Sequence, residues 1–250
     1  MSQGKVIVIT GAGLGLGRAL ARRFAGEGET VVLLGRTLSK VQEVADELGA
    51  PHFAVECDVQ SADSVRAAFA NIAAKHPKID VLINNAAVYE PFLVADATDE
   101  QIMTPIMTNF AGPIFACRSA IPMMQAGGHI INVSSESVAV EFAMLSLYQS
   151  SKAGLERFSR TLAQELAPSG IRVTIARAGP MYEEGKGSNW DPAVSAQFYQ
   201  NNVAVGLDMM KRPISHNNNV TGVFRALIDL SPDVQVHEVH VGGRYPAEMA

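Results

Sequence analysis

The chain has 250 residues, 48% of them hydrophobic and 18% charged, with 20 Lys+Arg against 25 Asp+Glu and a formal net charge of −5. That balance excludes intrinsic disorder as the main theme, and it lacks the basic excess that binding to the phosphate backbone of nucleic acid needs. The apolar runs are about four residues long where a membrane-spanning helix needs roughly 20, so neither a membrane nor a nucleic acid is an expected partner.

Residues 1–5 lead into an apolar strand without the basic stretch and ~7–15 apolar residues of a signal peptide, so a cytoplasmic location is expected. Short β-branched runs then alternate with helical stretches. A strand Val6–Thr10 precedes a helix over Arg18–Gly26; Thr30–Gly35 precedes Ser39–Leu48; His52–Glu56 precedes Ser61–Ala74. The pattern continues with a strand at Val81–Asn84, helix over Asp99–Gln125, a strand at His129–Ser134, helix from about Tyr148 to Leu166, and a strand at Ile171–Ala176. From Pro180 to Asn219 the periodicity fades and turn formers gather, including Gly185, Gly187, Pro192, Pro213 and Asn217-Asn218-Asn219. This is read as a mobile insertion, either a substrate lid at about 180–219 or a poorly ordered linker. A helix Val220–Leu230 and a strand Val236–Val241 close the chain. The strands are solidly apolar rather than alternating, which predicts an α/β fold: a doubly wound, mostly parallel sheet of the Rossmann type with helices on both faces, in one domain over 1–250.

The first strand runs into Gly11-Ala12-Gly13-Leu14-Gly15-Leu16-Gly17 and then into a helix. Glycines there allow positive φ and close backbone approach to a pyrophosphate, while the helix N-terminus offers free N–H donors to the anion. The second strand ends Gly35-Arg36, without the carboxylate that would hold the ribose hydroxyl of NAD. Arg36 is suited to a 2′-phosphate, which favours NADP(H) over NAD(H); as a solvated strand-end residue it would leave that preference weaker. Cys57 and Cys117 show no metal or redox spacing and read as packing thiols, and no metal site is expected.

Tyr148 and Lys152 stand four apart on a helix with apolar residues at Leu155, Phe158, Leu162 and Leu166, so they share one face. A phenol working near pH 7 needs its pKa of about 10 lowered by about three, roughly 4 kcal/mol, and a nearby ammonium has the right sign. Taken alone such a pair is more often surface decoration. Ser134-Ser135 ends a buried strand, where one hydroxyl could support charge on a substrate carbonyl oxygen and the other would serve the turn. Asn84-Asn85-Ala86-Ala87 ends another strand on the same edge. Pro113 lies four after Asn109 and cannot donate to its carbonyl, which makes that point either a packing kink or a polar station in a proton path.

With these motifs in place the chain resembles the short-chain dehydrogenase/reductase family, single-domain type, and is similar to its 3-oxoacyl-(acyl-carrier-protein) reductase-like members. Thr10-Gly11-x-x-x-Gly15-x-Gly17 resembles the family's cofactor turn, Asp58-Val59 its adenine contact, Asn84-Asn85-Ala86-Ala87 its strand signature, and Asn109, Ser135, Tyr148 and Lys152 its catalytic four. The resemblance implies that Tyr148 moves the proton, Ser135 polarises the substrate oxygen, Lys152 binds the nicotinamide ribose and acidifies Tyr148, and Asn109 holds a water leading to Lys152. It implies cofactor contacts at Gly11, Leu14, Gly15, Leu16, Gly17, Arg36, Asp58, Val59, Asn85, Ala86, Tyr148, Lys152 and Gly179. It also implies a homodimer or homotetramer with the helices around Asn109 and Tyr148 at subunit contacts. Two departures stand out. Glu183 lies near an expected diphosphate-binding Thr, and since a carboxylate beside phosphates is repulsive, the segment past Gly179 is expected to take another path. Val138-Ala139-Val140 replaces an expected Gly after the serine.

The expected activity is therefore NADP(H)-dependent interconversion of a ketone or aldehyde and an alcohol. The alternatives are an NAD-dependent alcohol dehydrogenase and a non-catalytic NADP(H)-sensing protein. Glu136, Glu141, Phe142, Met181, Tyr182, Trp190, Phe198, Met209 and Met210 are the expected substrate-facing set, suited to a bulky apolar small molecule or else to packing of the lid.

Overall fold

The structure is a computed structural model that describes residues 4–185, 187 and 190–244. In chain order its elements are β1 (Val6–Thr10), α1 (Gly15–Gly26), β2 (Thr30–Gly35), α2 (Leu38–Leu48), β3 (Phe53–Glu56), α3 (Ala62–Lys75) and β4 (Val81–Asn84). There follow α4 (Asp99–Pro105), a π-helical turn (Ile106–Ala111), α5 (Gly112–Ala120), β5 (His129–Ser135), α6 (Ser146–Leu166) and β6 (Arg172–Ala178). The last part contains β7 (Met181–Tyr182), α7 (Pro192–Ala204), β8 (Ser215–His216), α8 (Asn217–Asp229) and β9 (Glu238–Val241).

Seven strands form one sheet in the order β3-β2-β1-β4-β5-β6-β9, and every pairing in it is parallel. Successive strand residues point to opposite faces, so each face has its own core. Val8, Val32, Leu34, Leu82, Ile130 and Val173 pack with residues of α3, α5 and α6 on one side. Ile7, Ile9, Val31, Leu33, Ile83 and Ile131 pack with residues of α1, α2 and α8 on the other. This double covering is why the strands are apolar throughout rather than at every second position. Cys57 and Cys117 are free and buried, and burial pushes both thiols up to about 12, which makes them packing groups.

Two expectations change. The helix read as continuous over Asp99–Gln125 contains the π-helical turn, placed just before Pro113, where a residue without an N–H cannot complete the regular ladder. The region read as turns over 180–219 contains a thirteen-residue helix and two short paired strands. Asp191 accepts from the Ala193 N–H and Pro192 opens α7, so the proline taken as a breaker starts a helix. Asn217–Asn219, also taken as turn formers, make the first turn of α8, capped by His216 Nδ1 accepting from the Asn218 N–H. Residues 186, 188 and 189 of the expected lid, and residues 1–3 of the expected leaderless start, lie outside the described residues.

Candidate functional site

Parallel strands bring all their carboxyl ends to one edge, and the strand order reverses between β1 and β4, so a crevice opens there. Thr10 closes β1, and its Oγ1 accepts from the N–H groups of Asn85 and Ala86, each at 3.0 Å. Asn85 Nδ2 donates in return to the carbonyls of Thr10 (3.0 Å) and Gly11 (3.3 Å), binding the turn after β1 to the end of β4. Gly11 has φ +67°, and a Cβ there would lie 2.9 Å from Ala86 Cα; a Cβ on Gly17 would lie 2.3 Å from the Gly11 carbonyl oxygen. Only glycine permits this close approach of turn, helix and strand.

The residue before α1, Leu14, is extended and offers no side-chain cap, and the first turn carries no acid. An uncapped N-terminus with small residues around it fits an anionic dinucleotide. The carboxylate that meets it comes from Glu183, whose Oε2 accepts from the Gly15 N–H at 3.1 Å and whose Oε1 pairs with Arg18. An N–H donor and a guanidinium hold the carboxylate on the turn. Gly179 N–H donates to Val241 O at 2.7 Å, and a Cβ on Gly179 would lie 3.2 Å from Gly242 Cα. Arg36 is exposed past the end of β2 and forms no ion pair among the described residues. Asp58 Oδ1 accepts from the Gln60 N–H, and Val59 is buried against Gly112.

Ser134 and Ser135 end β5 and point to opposite faces, which separates their roles. Ser134 Oγ donates to Glu156 Oε1 at 2.7 Å, away from the crevice. Ser135 faces the Tyr148 phenol, which it tends to acidify, and its Oγ accepts from the Ser137 N–H at 3.2 Å. Lys152, one turn along α6, is 2% exposed and donates from Nζ to Val133 O at 2.7 Å. Burial pulls the Lys152 ammonium down to about 8. Burial also pushes the Tyr148 phenol up to about 12, with smaller upward contributions from Tyr89 and Glu136 and a downward one from Ser135. Desolvation is the largest influence on the phenol, and the Lys152 amine is turned to a backbone carbonyl.

Asn109 sits fully buried in the π-helical turn. Its side chain clamps Val88, accepting from the N–H and donating to the carbonyl at 2.8 Å each, and also donates to Ser151 Oγ at 3.1 Å. Ser151 passes the bond on to Tyr148 O at 2.7 Å, so the turn and α6 are joined. Sequence reasoning missed Ser151; its position on the same helix face as Tyr148 and Lys152 was the available signal.

Tyr89, also missed, meets Tyr148 in a tilted contact with centroids 5.8 Å apart and meets Trp190 edge-on at 5.4 Å; Trp190 in turn meets Phe198 at 5.4 Å. Phe142, Phe198, Met209 and Trp190 gather with Tyr148 in an apolar cluster. Glu136 lies beside it, paired with Arg212 at 2.6 Å. Met210 is 80% exposed, Glu141 is exposed, and Met181 and Tyr182 lie in β7, outside that cluster.

A second buried polar group supports the site from behind. Glu156 is 1% exposed and accepts from Ser134, Arg177 and Arg160, while Arg177 and Arg160 also reach Glu238 on β9. No single residue type announced this network, which ties α6 to three strands.

Residues 5–191 match the family described as short chain dehydrogenase. A 3-oxoacyl-(acyl-carrier-protein) reductase of Bos taurus is 33% identical over 177 residues, 70% of this chain and 75% of that protein. An NADP-dependent 3-hydroxy acid dehydrogenase of Shigella flexneri is 32% identical over 209 residues, 80% of this chain and 83% of its own. Among solved structures, a short-chain dehydrogenase from Streptomyces avermitilis matches with a TM-score of 0.83 at 26% identity, over 97% of this chain and 90% of that one. A metagenomic short-chain oxidoreductase in complex with NADP matches with a TM-score of 0.77 at 25% identity, over 98% and 100%.

Proposed function

The chain belongs to the short chain dehydrogenase family, and we propose that within it the protein is an NADP(H)-dependent oxidoreductase that interconverts a ketone or aldehyde and an alcohol. The observation that carries this reading is the meeting of the Tyr148 phenol with Ser135 at the carboxyl end of β5, with buried Lys152 one helical turn away on α6. The nicotinamide nucleotide supplies a hydride donor or acceptor when bound and, in its oxidised form, a positive charge.

Tyr148 gives its phenolic proton to the substrate oxygen during reduction and takes it back during oxidation. Ser135 donates to the same oxygen and supports the negative charge that develops there. Lys152, buried one turn from Tyr148, would orient the ribose and favour the phenolate. Asn109, held by Val88 and Ser151, keeps the π-helical turn in place beside α6 and holds the water that leads to Lys152. Gly11, Leu14, Gly15, Leu16, Gly17, Asn85 and Ala86 form the cradle for the pyrophosphate and nicotinamide half. Asp58 and Val59 would hold the adenine, Gly179 the nicotinamide, and exposed Arg36 a 2′-phosphate. The segment over 180–219 acts as a substrate lid, since its Trp190 and Phe198 cover Tyr148 through Tyr89.

The test is spectroscopic: consumption of NADPH with a panel of ketones, aldehydes and 3-oxo acid derivatives, in the wild type and in Tyr148→Phe. Turnover in the wild type that the variant lacks is expected. Equal turnover in both removes Tyr148 from the mechanism.

A further inference from the structure

The N-terminus of α1 is already occupied by an anion. Gly15 N–H donates to Glu183 Oε2 at 3.1 Å, and Arg18, in the first turn of the same helix, pairs with the other carboxylate oxygen. The two partners are about one-fifth exposed, 19% for Arg18 and 20% for Glu183, so the contact is shielded but reachable. No local residue could fill this role, since Leu14 has no side-chain acceptor and the first turn has no acid. The cap arrives from a position 168 residues along the chain.

Its mounting is specific. Glu183 follows β7, whose Met181 and Tyr182 pair with Ser215 and His216 of β8, and the Tyr182 ring meets His216 edge-on at 5.2 Å. The carboxylate therefore projects from a short braced strand rather than from a free loop. Beside it lies a cavity of about 440 Å³ lined in part by Arg18, Arg22, His216 and Asn217. A helix N-terminus attracts one anion at a time: a carboxylate and a phosphate placed together there repel, and each weakens the hold on the other.

We propose that Glu183 is an internal stand-in for the cofactor diphosphate, docking the root of the lid onto the dinucleotide turn until a nucleotide displaces it. This rests on the reading that a nicotinamide dinucleotide binds at that turn. Cofactor entry then becomes an exchange of anions: Glu183 gives up Gly15 and Arg18, the diphosphate takes them, and β7 is released from α1. The protein accordingly holds its lid root shut in the empty state and binds nucleotide less tightly than the bare turn would.

Two measurements test this on the full chain. In the first, amide hydrogen exchange over residues 15–17 is followed without nucleotide; Glu183→Ala is expected to exchange about fivefold faster than wild type, with Glu183→Gln between them. In the second, Kd is measured for NADPH, for ADP-ribose and for adenosine 2′-monophosphate, which has no diphosphate. Both variants are expected to bind NADPH and ADP-ribose roughly tenfold tighter, with adenosine 2′-monophosphate unchanged. Wild-type binding of NADPH with equal or weaker binding by both variants overturns the proposal, as does unchanged exchange at the turn. Failure of all three proteins to bind NADPH or NADH overturns the dinucleotide reading instead, and the anion exchange falls with it.

Discussion

Two carboxylates, Glu156 and Glu183, sit on arginines at opposite sides of the site, and they differ in what could replace them. Glu156 is enclosed between α6, β5 and β6, and its donors are a serine and two arginines of the protein itself. Nothing from solvent reaches it at 1% exposure. Glu183 meets a backbone N–H and one arginine at a helix end, partners that a phosphate would accept equally well. The same pairing chemistry thus makes a fixed support in one region and an exchangeable catch in the other. Burial, and the number of donors enclosed with the charge, decide which.

Breaking the fixed support has the largest expected effect. Glu156→Ala removes the shared acceptor of Ser134, Arg160 and Arg177, leaves half-buried Arg177 paired with Glu238, and is expected to lower unfolding free energy by about 1–3 kcal/mol, read by denaturant titration. A loss comparable to that of Glu183→Ala would erase the distinction between the two carboxylates. Next comes Tyr148→Phe, which keeps the ring against Tyr89 and removes the proton; turnover is expected to fall at least ~100-fold, with little change in melting temperature. Arg36→Ala is expected to weaken NADPH binding roughly tenfold and leave NADH binding unchanged, as measured by titration calorimetry, since only the former carries a 2′-phosphate. The smallest expected signal is a flat one. Burial holds the Tyr148 proton, so in the cofactor-free protein the phenolate absorbance difference between wild type and Tyr148→Phe stays near zero up to about pH 10 and grows only as pH approaches the phenol's value of about 12. A difference band near neutral pH would place the acidifying interaction in the empty enzyme rather than in the loaded one.

The sheet and its cofactor turn were legible because their signals are local. Strands covered on both faces must be apolar at every position, and the Gly11–Gly17 spacing sits between one such strand and a helix. Position at the end of β5 left Ser134 and Ser135 undivided, and only the family resemblance picked Ser135, because the choice depends on which side of β5 faces α6. The helix α7 escaped because Ala193, Val194, Phe198 and Val203 do not line one clean stripe; only Phe198 and Asn202 are buried. The start signal at Asp191-Pro192 was present but is equally common in turns. Glu183 was legible as an anomaly but not as a contact, since a partner 168 residues distant leaves no periodicity to read. The direction of the Tyr148 shift needed the surroundings of the ring, which include Tyr89 from a loop that carries no motif.

Met181 and Tyr182 pair in parallel with Ser215 and His216, and Ser215 N–H donates to Pro180 O at 3.1 Å, so the excursion over residues 183–214 leaves and returns at one zipped seam. A detour whose two roots are stitched side by side behaves as a cassette: its interior can be lengthened, shortened or replaced wholesale while the strands beneath keep their register. Grafting that stretch from another member of the family is therefore a route to altered substrate range in which the parallel scaffold is left untouched.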